Sequence, residues 1–548
     1  MMDTEFDTHE VFNQAPPLEG YDVFAADAAL VEAVEREGAA WARPELESLG
    51  ALAGSAASRE LGRLANENRP TLHTHDRYGR RVDVVEYHPA YHQLMATSLR
   101  HGLHSGPWAD PRPGAHVARA AKVIVWYQVD AGHICPVSMT YAVVPAIRHE
   151  PAVARVWEPM IDSTAYDPAD RPATQKSGVT CGMALTEKQG GSDVRANTTR
   201  AEPDDNGTGR HYRLVGHKWF CSAPMSDAFL MLAQAPRGIT CFLVPRWNSD
   251  GSRNAIHIQR LKNKLGDWSN ASSEIELLGA IGERIGEEGR GVRTIIEMVN
   301  HTRLDCILGS AALMRQGVAE ATWHAAHRSV FGKVLAEQPL MTNVLADLAV
   351  ESEAATASAL RLARAYDAVG DEHETLLQRL LTPVVKYWTC KRAPQHAAEA
   401  LECLGGNGFI EESVAPRLFR QSPVNGVWEG SGNVICLDVL RALSREPDAL
   451  EAYWAEVGRA DSGDARLARA VDDLHVDLSD AETLEFRARS VVERMALVFQ
   501  ASLLVRFAPH TVADAFCASR LGGLGGRAFG TLPTGIDAAS ILVRHTPV

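Results

Sequence analysis

The sequence contains no long apolar run free of charged residues, so no membrane-spanning helix is expected. Its first ten residues, MMDTEFDTHE, are acidic and carry no apolar core, so they do not read as a secretory leader. Positive charge is scarce: 55 Lys and Arg face 69 Asp and Glu, a formal net charge of −14. That balance excludes a protein coated in basic surface for nucleic acid, while a local basic face stays open. The nine cysteines stand at 135, 181, 221, 241, 306, 390, 403, 436 and 517, and no two share the spacing of a metal finger. No metal centre is expected, and reduced thiols in a cytoplasmic protein fit this odd, scattered set. Internal repeats and long low-complexity segments are absent too, which excludes solenoids and arrays.

What is present is bulk. The 548 residues are 45% hydrophobic and 23% charged, enough for three or four domains with ample core. Residues 1–175 read as a helical domain. Ala25 to Trp41 spaces its apolar residues helically, with Asp27 placed to cap it, and Ala115 to Val129 is a second, alanine-rich helix. The Pro- and Asp-rich stretch Asp162 to Pro172 closes this region as a loop. From 176 to 290 the texture shifts to short segments bounded by Gly, Asn and Asp: Val179–Thr186, His211–Phe220, Ala228–Ala233, Thr240–Pro245, Ala255–Arg260 and Ser273–Leu277. Several of them alternate apolar and polar residues, so this is a β domain, a small barrel or a sandwich. Residues 291–443 return to long Ala- and Leu-rich helical stretches, a helical bundle. Residues 444–548 form a C-terminal helical extension ending in the Gly-rich Leu521–Gly530. The expected fold class is α+β and multidomain, with one β domain insulated between helical ones.

Five segments carry candidate chemistry. GMALTEKQGGSD, Gly182 to Asp193, follows an expected strand and turns through Gly190, Gly191 and Ser192. Such a loop offers backbone N–H groups to a flat or anionic ligand, although a polar inter-strand loop fits equally well. GHKWFCS, Gly216 to Ser222, supplies an aromatic face at Phe220 and a hydroxyl at Ser222, but alone it is an ordinary alternating strand. RSVFGKVLAEQ, Arg328 to Gln338, offers a guanidinium suited to bidentate phosphate contact, where an ordinary surface arginine is the plain alternative. LGGNGF, Leu404 to Phe409, imitates a dinucleotide fingerprint without a preceding strand, as does Leu521–Gly530, so neither reads as a Rossmann turn. NGVWEGSGN, Asn425 to Asn433, places Glu429 in a loop. A lone loop glutamate is normally solvated; held against an apolar surface it becomes a base near neutral pH.

In this order the segments resemble the signatures of the acyl-CoA dehydrogenase family over residues 10 to 445. The resemblance implies the acyl-CoA dehydrogenase fold and bound FAD. It implies that Thr186, Gly191 and Ser192 meet the isoalloxazine, with Met183 and Leu185 lining it, Phe220 stacking and Ser222 near N5. It assigns Arg328 to the FAD pyrophosphate, with Phe331 and Gln338 completing the site. Gly405, Gly406 and Gly408 would reach FAD across a subunit interface, in a homo-oligomer expected to be a tetramer. Glu429 becomes the base that takes the substrate α-proton, with Trp428, Ser431 and Asn433 beside the cofactor. The family's usual Pro after Thr-Glu is Lys188 here, its Trp and Thr are Phe220 and Ser222, and its Tyr before the base is Trp428.

Within the family, VFNQAPPL (Val11–Leu18), LGRLANEN (Leu61–Asn68), RLVGHKWF (Arg213–Phe220), WEGSGNVICLDVL (Trp428–Leu440) and the extension resemble the AidB alkylation-response branch. That branch implies two further readings: a DNA-associated defence flavoprotein binding duplex through its extension, or a flavoenzyme for a small molecule other than an acyl-CoA. Residues 445–548 hold 11 Arg against 15 Asp and Glu, a net of 11 − 15 = −4, which gives duplex DNA no compositional support. Trp428, beside the base, and Arg441, twelve residues after it, are expected to narrow the pocket and weaken the base. Short or branched acyl-CoA substrates and slow turnover follow.

Overall fold

The computed structural model describes residues 8–204, 209–368, 370–460 and 463–548. The chain opens with short helices, Ala28–Arg36, Arg43–Ala53, Ala56–Glu67 and Pro89–Arg100. The first is capped by Asp27, whose carboxylate accepts from the Leu30 N–H, so the cap read from sequence sits where helical N–H groups are otherwise orphaned. This region is not purely helical. Thr71–His75 and Arg81–Glu86 form an antiparallel hairpin that the helical reading passed over. Thr71–His75 is polar apart from Leu72, while Arg81–Glu86 carries Val82, Val84 and Val85, a short strand signal that the helical reading of the region overlooked.

Ala115–Tyr127 and Ile134–Ile147 are buried almost all round. The irregular stretch 162–172 then leads into the β domain. Its seven-stranded sheet runs Cys181–Ala184, Ala228–Ala235, Arg200–Pro203, His211–Ser222, Ser272–Ile285 and Gly238–Pro245, with Ile256–Leu261 paired onto Ser272–Ile285. Because Ala228–Ala235 also pairs with Gly238–Pro245, five strands close into a ring. Closure removes two sheet edges and gives the inward side chains a shared interior. Gly216 lies against Thr199, so close that a Cβ would fall 2.4 Å from its Oγ1, and glycine is the residue that permits this strand crossing.

Three long helices follow: Gly291–His327, Pro339–Asp367 and Glu372–Cys403. Alanine and glycine let them approach closely: a Cβ on Gly309 would meet the Tyr127 ring at 2.6 Å. Gly432–Arg445 leads into the extension, built from Pro447–Gly458, Ala465–Ser479, Leu484–Phe507, His510–Phe516 and Ala538–His545. The Gly-rich 521–530 segment follows a helical turn and no strand. Its packing is structural: the Asp347 carboxylate accepts from the Gly530 and Thr531 N–H groups. Among the described residues, no helix is long and apolar enough to cross a membrane.

Candidate active site

Two strands bring the first two motifs together. The Trp219 N–H donates to the Thr186 carbonyl at 2.8 Å, which sets Thr186 beside the strand carrying Phe220 and Ser222. Gly191 folds back onto Thr186 so tightly that a Cβ would lie 2.4 Å from its hydroxyl. The loop is anchored from below by Glu187, fully buried, whose carboxylate accepts from Lys218 Nζ at 2.8 Å and from the Thr198 and Thr199 N–H groups. Burial alone would raise that carboxyl; Lys218 and these donors hold it well below the usual carboxylate range. Met183 and Leu185 are half-buried on the same segment, and Ser192 is exposed. The Thr186 hydroxyl has no hydrogen-bond partner among the described residues, and Phe220 is 46% exposed. A partly exposed aromatic ring, over which Lys262 Nζ lies at 4.6 Å, a free hydroxyl and a glycine-lined turn fit a flat heteroaromatic ligand. The Ser222 and Ser272 hydroxyls lie 3.2 Å apart.

A second group assembles elsewhere from three distant segments. Arg328 donates to the Asn13 carbonyl at 2.7 Å, and the Asn13 side chain bonds both the Ser329 N–H and its carbonyl. Asn407, within the GGNG turn, donates to the Gln14 amide oxygen at 3.5 Å. Gln338 donates to the Val330 carbonyl, closing a two-stranded hairpin, Ser329–Val330 with Lys333–Val334. Phe331 sits at its tip in the left-handed region, φ 52°, and is 99% exposed. Gly405 and Gly406 face open space, while Gly408 must be glycine because a Cβ would lie 2.1 Å from the Leu401 carbonyl. Arg328 has no carboxylate partner among the described residues, so its charge is available to an anion. Among those residues, no hydrogen bond joins this group to the first.

Glu429 occupies the loop before the Gly432–Arg445 helix, in the left-handed region at φ 57°. Strain of that kind needs surroundings that over-determine it, and here the surroundings are visible. Lys386 donates to the Trp428 carbonyl at 2.9 Å and to the Gly430 carbonyl at 2.5 Å, and Arg303 donates to the carbonyl of Glu429 itself at 3.0 Å. Trp428 Nε1 donates to the Asn425 amide oxygen at 3.0 Å, which pins the indole. The Glu429 side chain makes no ion pair among the described residues. Burial pushes its carboxyl above the usual range, against the pull of the Thr302 hydroxyl, Lys386 and Arg303.

Cys135, at the start of the Ile134–Ile147 helix, links this loop to the β domain. Its thiol is pushed up to about 12 by burial, with the charges of Asp267 and Glu429 adding to the effect and Lys264 and a hydrogen bond to Ser222 opposing it. One side chain thus senses both the Ser222 hydroxyl and, through space, the Glu429 charge. Ser431 is exposed, and Asn433 accepts from Arg489 of the extension at 2.8 Å.

The expected neighbour of the base, Arg441, is corrected. It lies exposed on the Gly432–Arg445 helix with no partner among the described residues, and the cations facing Glu429 are Lys386 and Arg303. Sequence separation misled here, because the helix turns Arg441 outward while contacts from distant helices gather around Glu429. Cys135, Lys386 and Arg303 carry no local signature, and Glu187 and Asn13 lie within quoted motifs without a role of their own being legible there.

Comparison with known proteins supplies the family. Residues 13–168 match the adaptive response protein AidB N-terminal domain, 182–279 the acyl-CoA dehydrogenase middle domain and 289–444 the acyl-CoA dehydrogenase C-terminal domain. The chain is 46% identical to "Putative acyl-CoA dehydrogenase AidB" of Escherichia coli (strain K12), over 95% of each sequence. It is 32% identical to acyl-CoA dehydrogenase family member 11 of Caenorhabditis elegans, over 78% of this chain and 72% of that one. Among solved structures, Caenorhabditis elegans ACDH-11 in complex with C11-CoA superposes with a TM-score of 0.86 at 28% identity, covering 94% of each chain.

Proposed function

We propose a specific reaction for a chain that belongs to the acyl-CoA dehydrogenase family, within its AidB branch, and is as such an FAD-dependent oxidoreductase. Glu429 takes the α-proton of an acyl-CoA thioester, a hydride leaves the β-carbon, and a Cα=Cβ double bond forms. FAD, when bound, supplies the acceptor for that hydride and its two electrons. The chain's own residues do the rest. Thr186, Gly191, Ser192, Phe220 and Ser222 would hold the ring system, and Met183 and Leu185 would back it. Arg328, Gln338, Gly405 and Gly406 would receive the phosphate end. Phe331 and Phe409, 99% and 79% exposed at the tips of these turns, support a homo-oligomer in which a second copy covers them, a tetramer in this reading.

The observation that carries the proposal is the state of Glu429: a half-buried carboxyl held above the usual range, with no ion pair among the described residues, on a left-handed loop fixed by Lys386 and Arg303. A base must be unprotonated yet basic near neutral pH, and a salt-bridged carboxylate would be neither strong enough nor free. The pinned indole of Trp428 beside it favours short or branched acyl groups. A Dictyostelium discoideum relative is named for short and branched chains, whereas the Caenorhabditis elegans structure holds C11-CoA, so a test must span both lengths. The extension weighs against a duplex-binding role: Arg459, Arg466, Arg487, Arg494, Arg506, Arg520 and Arg544 all pair with carboxylates of this chain.

The experiment is anaerobic mixing of FAD-loaded protein with butyryl-, isobutyryl-, isovaleryl-, octanoyl- and undecanoyl-CoA, following flavin absorbance. Bleaching fastest with the short and branched thioesters is the expected result. No bleaching with any thioester would remove acyl-CoA oxidation, and fastest bleaching with undecanoyl-CoA would remove the role given to Trp428.

A further inference from the structure

Lys386 lies on the Glu372–Cys403 helix, 1% exposed, and among the described residues no carboxylate pairs with it. A buried ammonium without a counter-ion is costly unless its protons are satisfied by fixed dipoles. Here two carbonyls satisfy them, those of Trp428 and Gly430, one on each side of Glu429. Those two contacts bracket a non-glycine residue in the left-handed region. The third carbonyl of the run, that of Glu429, is held by Arg303, whose charge is already offset by Asp438 at 2.7 Å. We infer that Lys386 is the positioning residue of Glu429: it grips the carbonyls on either side, holds the loop in its left-handed turn, and so fixes the direction of the carboxyl.

This inference rests on Glu429 being the base. It adds a division of labour. A cation that bonded the carboxyl directly would weaken it, whereas a cation on the flanking carbonyls fixes its direction while leaving its oxygens free. The charge still acts through space, lowering the carboxyl somewhat from where burial puts it. The titratable and charged groups facing Glu429 are Lys386 from this helix, Arg303 and Cys306 from Gly291–His327, and Cys135 from Ile134–Ile147. Lys386 alone among the cations carries an uncompensated charge, so it dominates any electrostatic change made by substitution.

The test compares wild type, Lys386→Met, Lys386→Gln and Glu429→Gln, each loaded with FAD and mixed anaerobically with the best acyl-CoA of the panel. Rates are taken per bound flavin across pH. Loss of the grip should slow flavin reduction about 100-fold, as a misplacement near 1 Å does, with little change in thioester affinity. Loss of the charge should move the acid limb of the rate profile to higher pH, because the base becomes harder to deprotonate. Lys386→Gln serves where the methionine variant does not hold FAD. Normal rate per flavin and an unmoved acid limb, with only melting temperature or flavin content reduced, would make Lys386 structural and overturn the inference. In that case a dead Glu429→Gln leaves the base in place; a Glu429→Gln that reduces flavin at the wild-type rate instead removes the base reading itself.

Discussion

At the Glu429 loop, buried cations rest on carbonyl oxygens; in the C-terminal extension they rest on carboxylates. Arg361 is gripped by Glu374 and Glu456, and Arg506 joins Glu456 at 2.8 Å. Arg520 bridges Asp347 and Glu351, and Arg544 with His545 closes on Glu353, Arg544 also reaching Glu32. The two regions end with opposite acidities. Burial alone would raise Glu351, Glu353 and Glu456, but their arginine and histidine partners hold all three down to about 2. Glu429, half-buried, stays above the ordinary range, because the cations near it bind the backbone of its loop. The same residue types thus serve as staples in one place and as a holder for a reactive group in the other. What differs is whether the carboxylate or the peptide carbonyl receives the proton donors.

The sharpest way to break this comparison is to remove the carboxyl that was left free. Glu429→Gln should keep its FAD and lose about 10²- to 10⁴-fold in flavin reduction, because the amide cannot take a proton. Single-turnover rates per flavin check it. On the opposite side, Glu456→Ala should destabilise the fold by about 3–5 kcal/mol, since it strands Arg506 and leaves buried Arg361 with Glu374 alone. Denaturant unfolding of the two proteins measures this, with flavin reduction largely kept in the folded fraction.

Arg328 extends the comparison to a second cation, after Lys386, without a carboxylate among the described residues. Arg328→Ala should weaken FAD binding by about 1.5–3 kcal/mol, the range of a charge-assisted hydrogen bond, with little effect on melting of the apoprotein. Titration of apoprotein with FAD gives the answer. Acid provides a further test. Carboxyls lowered from 4.5 to about 2 stabilise the fold fully above pH 4.5, and that contribution drains away as pH falls toward 2. Proteolysis of residues 446–548 should therefore begin only below pH 4.5. The smallest effect expected is that of Arg441→Ala. An exposed arginine without partners should change flavin reduction by no more than about twofold, and a larger gain would return it to the pocket.

The fold and family were legible because their signals are local. Helical periodicity, the Asp27 cap, the β segments between 176 and 290 and the ordered motifs each depend on neighbours within a dozen residues. The Thr71–Glu86 hairpin escaped because its first strand is polar apart from Leu72 and the valines of its second make only a six-residue run inside an otherwise helical region. The surroundings of Glu429 escaped for a different reason. Lys386 and Arg303 are 43 and 126 residues away, and each looks like a surface charge on a helix until tertiary packing buries it. Arg441 looked close because it is close in sequence, yet helix phase turns it to solvent. Asn13 shows the same limit: VFNQAPPL reads as a family mark, and only the structure reveals that it ties the Arg328 hairpin to the GGNG turn.

The most direct test of the free, raised carboxyl at Glu429 is the pH dependence of flavin reduction itself. FAD-loaded wild type, mixed anaerobically with a saturating short acyl-CoA between pH 4.5 and 9, should show a rate that rises through one ionisation above the ordinary carboxylate range. The base works only when deprotonated, and burial delays that step. Glu429→Gln should show neither the rate nor the limb. A wild-type rate that is flat down to pH 4.5, or a limb that survives in Glu429→Gln, would contradict the account.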